Sequence, residues 1–176
     1  MVTLISPGCI QLAPCCPAHY LLFLSPSTGT APRMKNLFAV VLACGLLLAH
    51  SSVLELEQMI RSATGKSALL SYSWYGCFCG IGGRGSPVDP TDLCCHAHDC
   101  CYRKLREGQC RPLITPYHFN IADGNIICSK EQSWCKRETC LCDKAVASCF
   151  SSTLDSYNPS YRLYLRLKCR GSKLQC

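Results

Sequence analysis

Leu93 to Leu105 read "LCCHAHDCCYRKL", and eight of these residues, Cys94 to Cys101, hold four cysteines, two histidines and an aspartate. That density admits three readings: a metal site, a disulfide hub or a reaction centre. Asp89, Pro90 and Asp92 supply a helix start and Gly108 a stop. The spacing therefore predicts a helix from Pro90 to about Arg106, with the quoted stretch inside it.

A second cysteine-bearing helix is predicted from about Ser133 to Thr153. Cys94 and Cys101 lie seven residues apart on the first of these helices, and Cys142 and Cys149 lie seven apart on the other, which is two turns along one face. If the helices run antiparallel, Cys94 meets Cys149 and Cys101 meets Cys142, making two rungs about 10 Å apart. Zinc competes weakly, because the chain holds no C-x2-C pair and adjacent or C-x-C cysteines suit a tetrahedral ligand set poorly.

Cysteine usage points the same way. Met34 and Lys35 precede the apolar run Leu37 to Ala49, a secretory signal too short for a membrane span, with cleavage expected after Ser51. Residues 1–33 read as an upstream extension absent from the mature protein, 34–51 as the signal peptide, and 52–176 as the secreted domain. Fourteen of the 18 cysteines lie from Cys77 onward, so a framework of seven bridges in a secreted, extracellular product is expected.

The chain carries a formal net charge of +7, with Arg162, Arg166, Lys168, Arg170 and Lys173 near its end. Such a tail favours anionic lipid surfaces or sulfated polysaccharide. No nucleic-acid partner is expected. Asn158 is followed by Pro159, and Asn36, Asn120 and Asn125 lack the hydroxyl two positions on, so no glycan is expected.

Val53, Leu56, Met59, Ile60 and Ala63 recur at three and four, predicting an N-terminal amphipathic helix that Gly65 stops. Tyr117 to Cys128 alternates around Asp123-Gly124, a hairpin signal for a small two-stranded wing. An irregular basic tail follows Asn158-Pro159. The expected fold is mainly α and disulfide-rich: two long antiparallel disulfide-linked helices, an N-terminal helix, a glycine-rich loop and the β-wing.

His98 falls four residues after Cys94 and three before Cys101, between the rungs and facing the partner helix. Asp143 sits at the edge of that seam. A carboxylate there would hold one imidazole nitrogen protonated and leave the other free as a base, although a core histidine satisfied by a carboxylate looks the same. Two features favour chemistry. Asp99 projects about 100° round the helix from His98 and needs a cation or donor. The loop "GCFCGIGGRG", Gly76 to Gly85, can turn carbonyls inward at Gly80, Gly82 and Gly83; carbonyls plus a carboxylate suit calcium.

At this point "YGCFCGIGGRGSP", "DLCCHAHDCCY" and "CLCDKAVASCF" resemble the calcium loop and the two catalytic-helix motifs of the secreted phospholipases A2. The likeness covers Ser52 to Cys176, and the C-terminal extension ending in Cys176 makes the chain similar to the group II branch. The resemblance implies His98 as general base, Asp143 as its orienting carboxylate with Tyr102 and Tyr117 bonded to it, and the Gly80 amide on the oxyanion. It implies Ca2+ held by Asp99 and the carbonyls of Phe78, Gly80 and Gly82. Five further bridges follow from it: Cys77–Cys169, Cys79–Cys95, Cys100–Cys176, Cys110–Cys135 and Cys128–Cys140.

The implied activity is hydrolysis of the sn-2 ester of glycerophospholipids at a membrane surface, with Val53, Leu56 and Ile60 lining the mouth of the acyl channel. Implied partners are the bilayer, anionic by preference, and heparan sulfate or a phospholipase A2 receptor, with the protein a monomer. Departures from the family pattern are Leu93, where many relatives carry tryptophan, and Ile81, which offers less grip on phosphatidylcholine than an indole. Ser71, Ser73 and Ser86 stand in no G-x-S-x-G elbow, so a serine hydrolase is excluded. A non-catalytic ligand on the same scaffold usually lacks the calcium aspartate, which is present here as Asp99; a growth-factor-like ligand leaves the base and the loop without purpose.

Overall fold

A computed structural model describes residues 52–172 and 174–176; the extension and signal peptide expected over 1–51 lie outside the described residues. The elements are α1 Val53–Thr64, α2 Ala68–Ser71, α3 Pro90–Glu107, β1 Phe119–Ala122, β2 Asn125–Cys128 and α4 Trp134–Ser152, with short 3-10 turns at Pro112–Ile114, Leu154–Ser156, Pro159–Tyr161 and Arg166–Lys168. Among the described residues no helix is long and apolar enough to cross a membrane.

α3 starts as its sequence directs. The Asp89 carboxylate accepts from the Asp92 amide at 2.8 Å and Pro90 occupies the first turn, where its missing N–H costs nothing. Its end differs in detail from the expectation. Gly108 keeps a negative φ, and the left-handed residue is Gln109 at φ 62°. Gly108 is needed for space instead, since a Cβ there would lie 2.8 Å from the Trp134 ring.

The pairing of α3 and α4 is antiparallel, as the bridges Cys94–Cys149 and Cys101–Cys142 require. The other five bridges are Cys77–Cys169, Cys79–Cys95, Cys100–Cys176, Cys110–Cys135 and Cys128–Cys140. These are the pairs that the two equal spacings and the family resemblance name. The wing is an antiparallel hairpin closing on Ala122↔Asn125, and Asp123 and Gly124 both take positive φ, the geometry of a type I′ turn.

α2 has no periodic signal in four residues. It forms because the Ser67 hydroxyl accepts from Leu70 and the Glu57 carboxylate, from α1, accepts from the Ala68 and Leu69 amides at 2.6 and 3.2 Å. A core of Met59, Ile60, Tyr72, Tyr75, Val146 and Phe150 joins α1, the segment that follows α2, and α4. Tyr72 stacks on Phe150 at 4.0 Å and Tyr75 on Tyr157 at 4.9 Å, so aromatic side chains from the segment after α4 close one side of the core.

Candidate active site and cation loop

The two rungs place His98 of α3 opposite Asp143 of α4. His98 Nε2 lies 2.7 Å from Asp143 Oδ1. The carboxylate is fully buried, and the imidazole is 14% exposed. Tyr102 donates to Asp143 Oδ1 at 2.8 Å, and Tyr117, just before β1, donates to Oδ2 at 2.6 Å. An ionised carboxylate only accepts, so Nε2 carries the proton and Nδ1 is left with its lone pair. That is the form in which an imidazole can take a proton.

Burial pushes the Tyr102 and Tyr117 phenols well above the ordinary tyrosine range, and the Asp143 charge pushes them further. The folded protein therefore holds these protons when the unfolded chain releases them near pH 10, so stability is intact below about pH 10 and falls as pH rises beyond it. Urea unfolding at pH 9 and pH 11 should show this loss, and Tyr117→Phe, although about 2 kcal/mol less stable at neutral pH, should lose less of its remaining stability on going alkaline. An equal alkaline loss in the variant would remove Tyr117 from the effect.

His98 and Asp99 line a cavity of about 220 Å³ together with Val53, Leu56, Ile60, Phe78 and Gly80. The channel residues named from the sequence thus reach the same space as the histidine. A larger, open depression of about 530 Å³ along α3 is lined by Ala97, Arg103 and Lys104 among others; its lining holds no base paired to a carboxylate, so the smaller cavity is the candidate active site. Nor do His96, Cys100 and Cys176 form a metal site, close as they are. Cys100 and Cys176 are oxidised to a bridge, and His96 Nε2 lies 3.0 Å from the Leu174 carbonyl.

The glycine loop is shaped from below by Asp92. This fully buried carboxylate accepts from the amides of Cys77 and Phe78 at 2.8 Å each and from Val88 at 3.0 Å. By its position in the sequence Asp92 belongs only to the start of a helix; no local signal distinguishes it, because the Cys77 and Phe78 amides it accepts from lie 15 and 14 residues away. Gly80 adopts φ 98°, and a Cβ there would meet the Ser73 carbonyl at 2.1 Å, so only glycine fits.

Arg166 departs from expectation. In the sequence it is one of a set of tail charges, but its guanidinium donates to the Ile81 carbonyl and, at 2.5 Å, to that of Gly82. The bridge from Cys77 to Cys169 brings the tail over the loop, and the side chain is half-buried there. The loop carbonyls therefore accept from a cation, and with the Asp99 carboxylate in the same cavity the donor set fits calcium, a hard ion that takes oxygen.

A sequence profile of the Phospholipase A2 family matches residues 53–162. The chain is 46% identical over 140 residues to "Phospholipase A2, membrane associated" of Homo sapiens, covering 80% of this chain and 96% of that protein. It is 46% identical over 142 residues to "Group IID secretory phospholipase A2" of Mus musculus, covering 78% and 99% respectively, and 42% identical over 147 residues to "Group IIF secretory phospholipase A2" of Mus musculus, covering 81% and 86%. With a helix-rich fold closed by seven bridges and a histidine–aspartate pair between the two long helices, the chain belongs to the phospholipase A2 family, in its group II-like secretory branch.

Proposed function

We propose that the protein is a secreted, calcium-dependent enzyme that hydrolyses the sn-2 ester of glycerophospholipids at membrane surfaces, releasing a fatty acid and a lysophospholipid. The observation that carries this is the His98 Nε2 contact with buried Asp143, which leaves Nδ1 without a hydrogen bond among the described residues, on a side chain that lines the same cavity as Asp99. Homologues named phospholipase A2 support phospholipid hydrolysis, and those named secretory support export.

His98 Nδ1 takes a proton from a water, and the oxygen attacks the ester carbonyl. Asp143 stabilises the imidazolium that forms, with Tyr102 and Tyr117 holding both of its oxygens in place. The Gly80 amide donates to the developing oxyanion. The bond between the acyl carbon and the sn-2 oxygen then breaks, and His98 returns the proton to that lysophospholipid oxygen as it leaves; because water is the nucleophile, no acyl-enzyme forms. The Asp99 carboxylate and the carbonyls of Phe78, Gly80 and Gly82 would hold calcium, which when bound would supply positive charge for the phosphate and the oxyanion.

Val53, Leu56 and Ile60 would guide the acyl chain, and the mouth is rimmed by apolar surface. Ile81 is exposed, as are Leu69, Leu70 and Trp74, chain neighbours of cavity-lining Ala68 and Ser73. Trp74, 58% exposed, brings to this rim an indole that position 81 lacks, which narrows the handicap expected on phosphatidylcholine. Anionic bilayers remain the preferred partner through the basic residues of the tail, which offer the same charge to heparan sulfate. Cleavage after Ser51 would leave Ser52 first, its hydroxyl donating to the Pro112 carbonyl at 2.7 Å.

The test is fatty-acid release by the secreted, disulfide-bonded protein from phosphatidylglycerol and phosphatidylcholine vesicles, in excess calcium and in chelator. Release should vanish with chelator, should come from the sn-2 position and should be faster on phosphatidylglycerol. Release that persists in chelator would end the calcium reading. A folded protein that binds vesicles and releases nothing would make it a ligand on this scaffold.

A further inference from the structure

Arg166 opens the last 3-10 turn, and its carbonyl accepts from the Cys169 amide at 3.1 Å. This turn and the Cys77–Cys169 bridge hold its backbone beside the glycine loop. One guanidinium nitrogen, Nη1, serves both the Ile81 and the Gly82 carbonyls. The other, Nη2, is buried without a hydrogen-bond partner among the described residues. Cβ atoms built on Gly80 and Gly82 would stand 3.7 Å from Nη2 and 3.6 Å from Nη1, so the whole guanidinium lies over the stretch that supplies the cation ligands. A buried guanidinium N–H left unbonded is costly, so this is a placement that the charge can readily leave.

We propose that Arg166 is a resident competitor of calcium, a latch that takes the Gly82 carbonyl when the ion is absent and must withdraw for the ion to load. The proposal rests on the reading of Phe78, Gly80, Gly82 and Asp99 as the calcium ligands. Two positive charges cannot share one carbonyl at close range without mutual repulsion. The loop does not need the arginine for its shape, because Asp92 binds three of the local amides and the bridges Cys77–Cys169 and Cys79–Cys95 pin both flanks of Phe78. Removing the guanidinium therefore removes a rival and leaves the ligands where they are.

Calcium titration calorimetry on the secreted protein, the Arg166→Gln variant and the Arg166→Lys variant tests this without any assay of activity. Arg166→Gln should lower the calcium Kd by about ten-fold, and Arg166→Lys, which keeps the charge but not the fork, should fall between it and the wild type. In the wild type, saturating calcium should speed phenylglyoxal labelling of Arg166, read by peptide mass. Equal Kd values for wild type and Arg166→Gln would overturn the latch while leaving the calcium reading standing. Weaker binding by Arg166→Gln would overturn it too, making Arg166 a support of the loop. Absence of calcium binding in every form would overturn the calcium reading itself, and the latch with it. If Arg166→Gln is not secreted folded, the wild-type labelling decides alone, and labelling unchanged by calcium overturns the proposal.

Discussion

His98→Gln should lower fatty-acid release from phosphatidylglycerol vesicles by about a thousand-fold or more, with thermal stability and vesicle binding close to those of the wild type. Glutamine is near in size and can still donate an N–H to Asp143, so the buried carboxylate keeps a partner. What it lacks is a basic nitrogen facing the cavity, because an amide oxygen cannot take a proton from water near neutral pH. The loss should appear in kcat rather than in KM, since the calcium loop and the rim are untouched. Asp143→Asn should lose less than His98→Gln, because it perturbs the tautomer and orientation of the base without deleting it. Full activity in His98→Gln would exclude the imidazole as base, and a collapse in stability would leave its role structural.

A different residue is expected to dominate stability. Asp92→Ala should destabilise the protein by about 3–5 kcal/mol, because the amides of Cys77, Phe78 and Val88 lose their shared acceptor inside the fold. On a domain of this size that is a fall in Tm of roughly 15 °C. Asp92→Asn should fall part-way: one amide oxygen still accepts, while the NH2 group turns a donor toward a donor. The space is also closely fitted, since a Cβ on Gly76 would lie 2.4 Å from the Asp92 carboxyl carbon. The bridges keep the chain cross-linked, so the damage should concentrate in the loop and weaken calcium binding alongside Tm. Scanning calorimetry and calcium titration on the same samples check both; a variant within about 0.5 kcal/mol of wild type would show that water replaces the carboxylate.

The sites tested by these two substitutions were unequally visible before the fold was known. His98 and Asp143 could be paired from two cysteine spacings alone, because seven residues on an α-helix return to the same face and two such repeats can lie in register. Tyr102 and Tyr117 entered only through a resemblance, although their hydroxyls finish the carboxylate's bonding. Asp92 had a satisfactory local role as an acid in the first helical turn, and that role hid the larger one. Arg166 was grouped with its neighbours as surface charge, yet its two carbonyl partners lie 85 and 84 residues away.

By itself the sequence determined the three principal helices, the hairpin turn at Asp123-Gly124, the two rungs and the histidine between them. All of these follow from backbone periodicity, turn preference and the short reach of a disulfide, which are properties of neighbouring residues. The tertiary structure alone decided that Glu57 caps α2, that Asp92 gathers the loop amides and that Arg166 lies on the carbonyl of Gly82, one of those expected to hold calcium. Each of those is a polar group finding a partner after the chain has closed on itself. Which donor meets which acceptor is then settled by burial and cross-linking rather than by spacing along the chain.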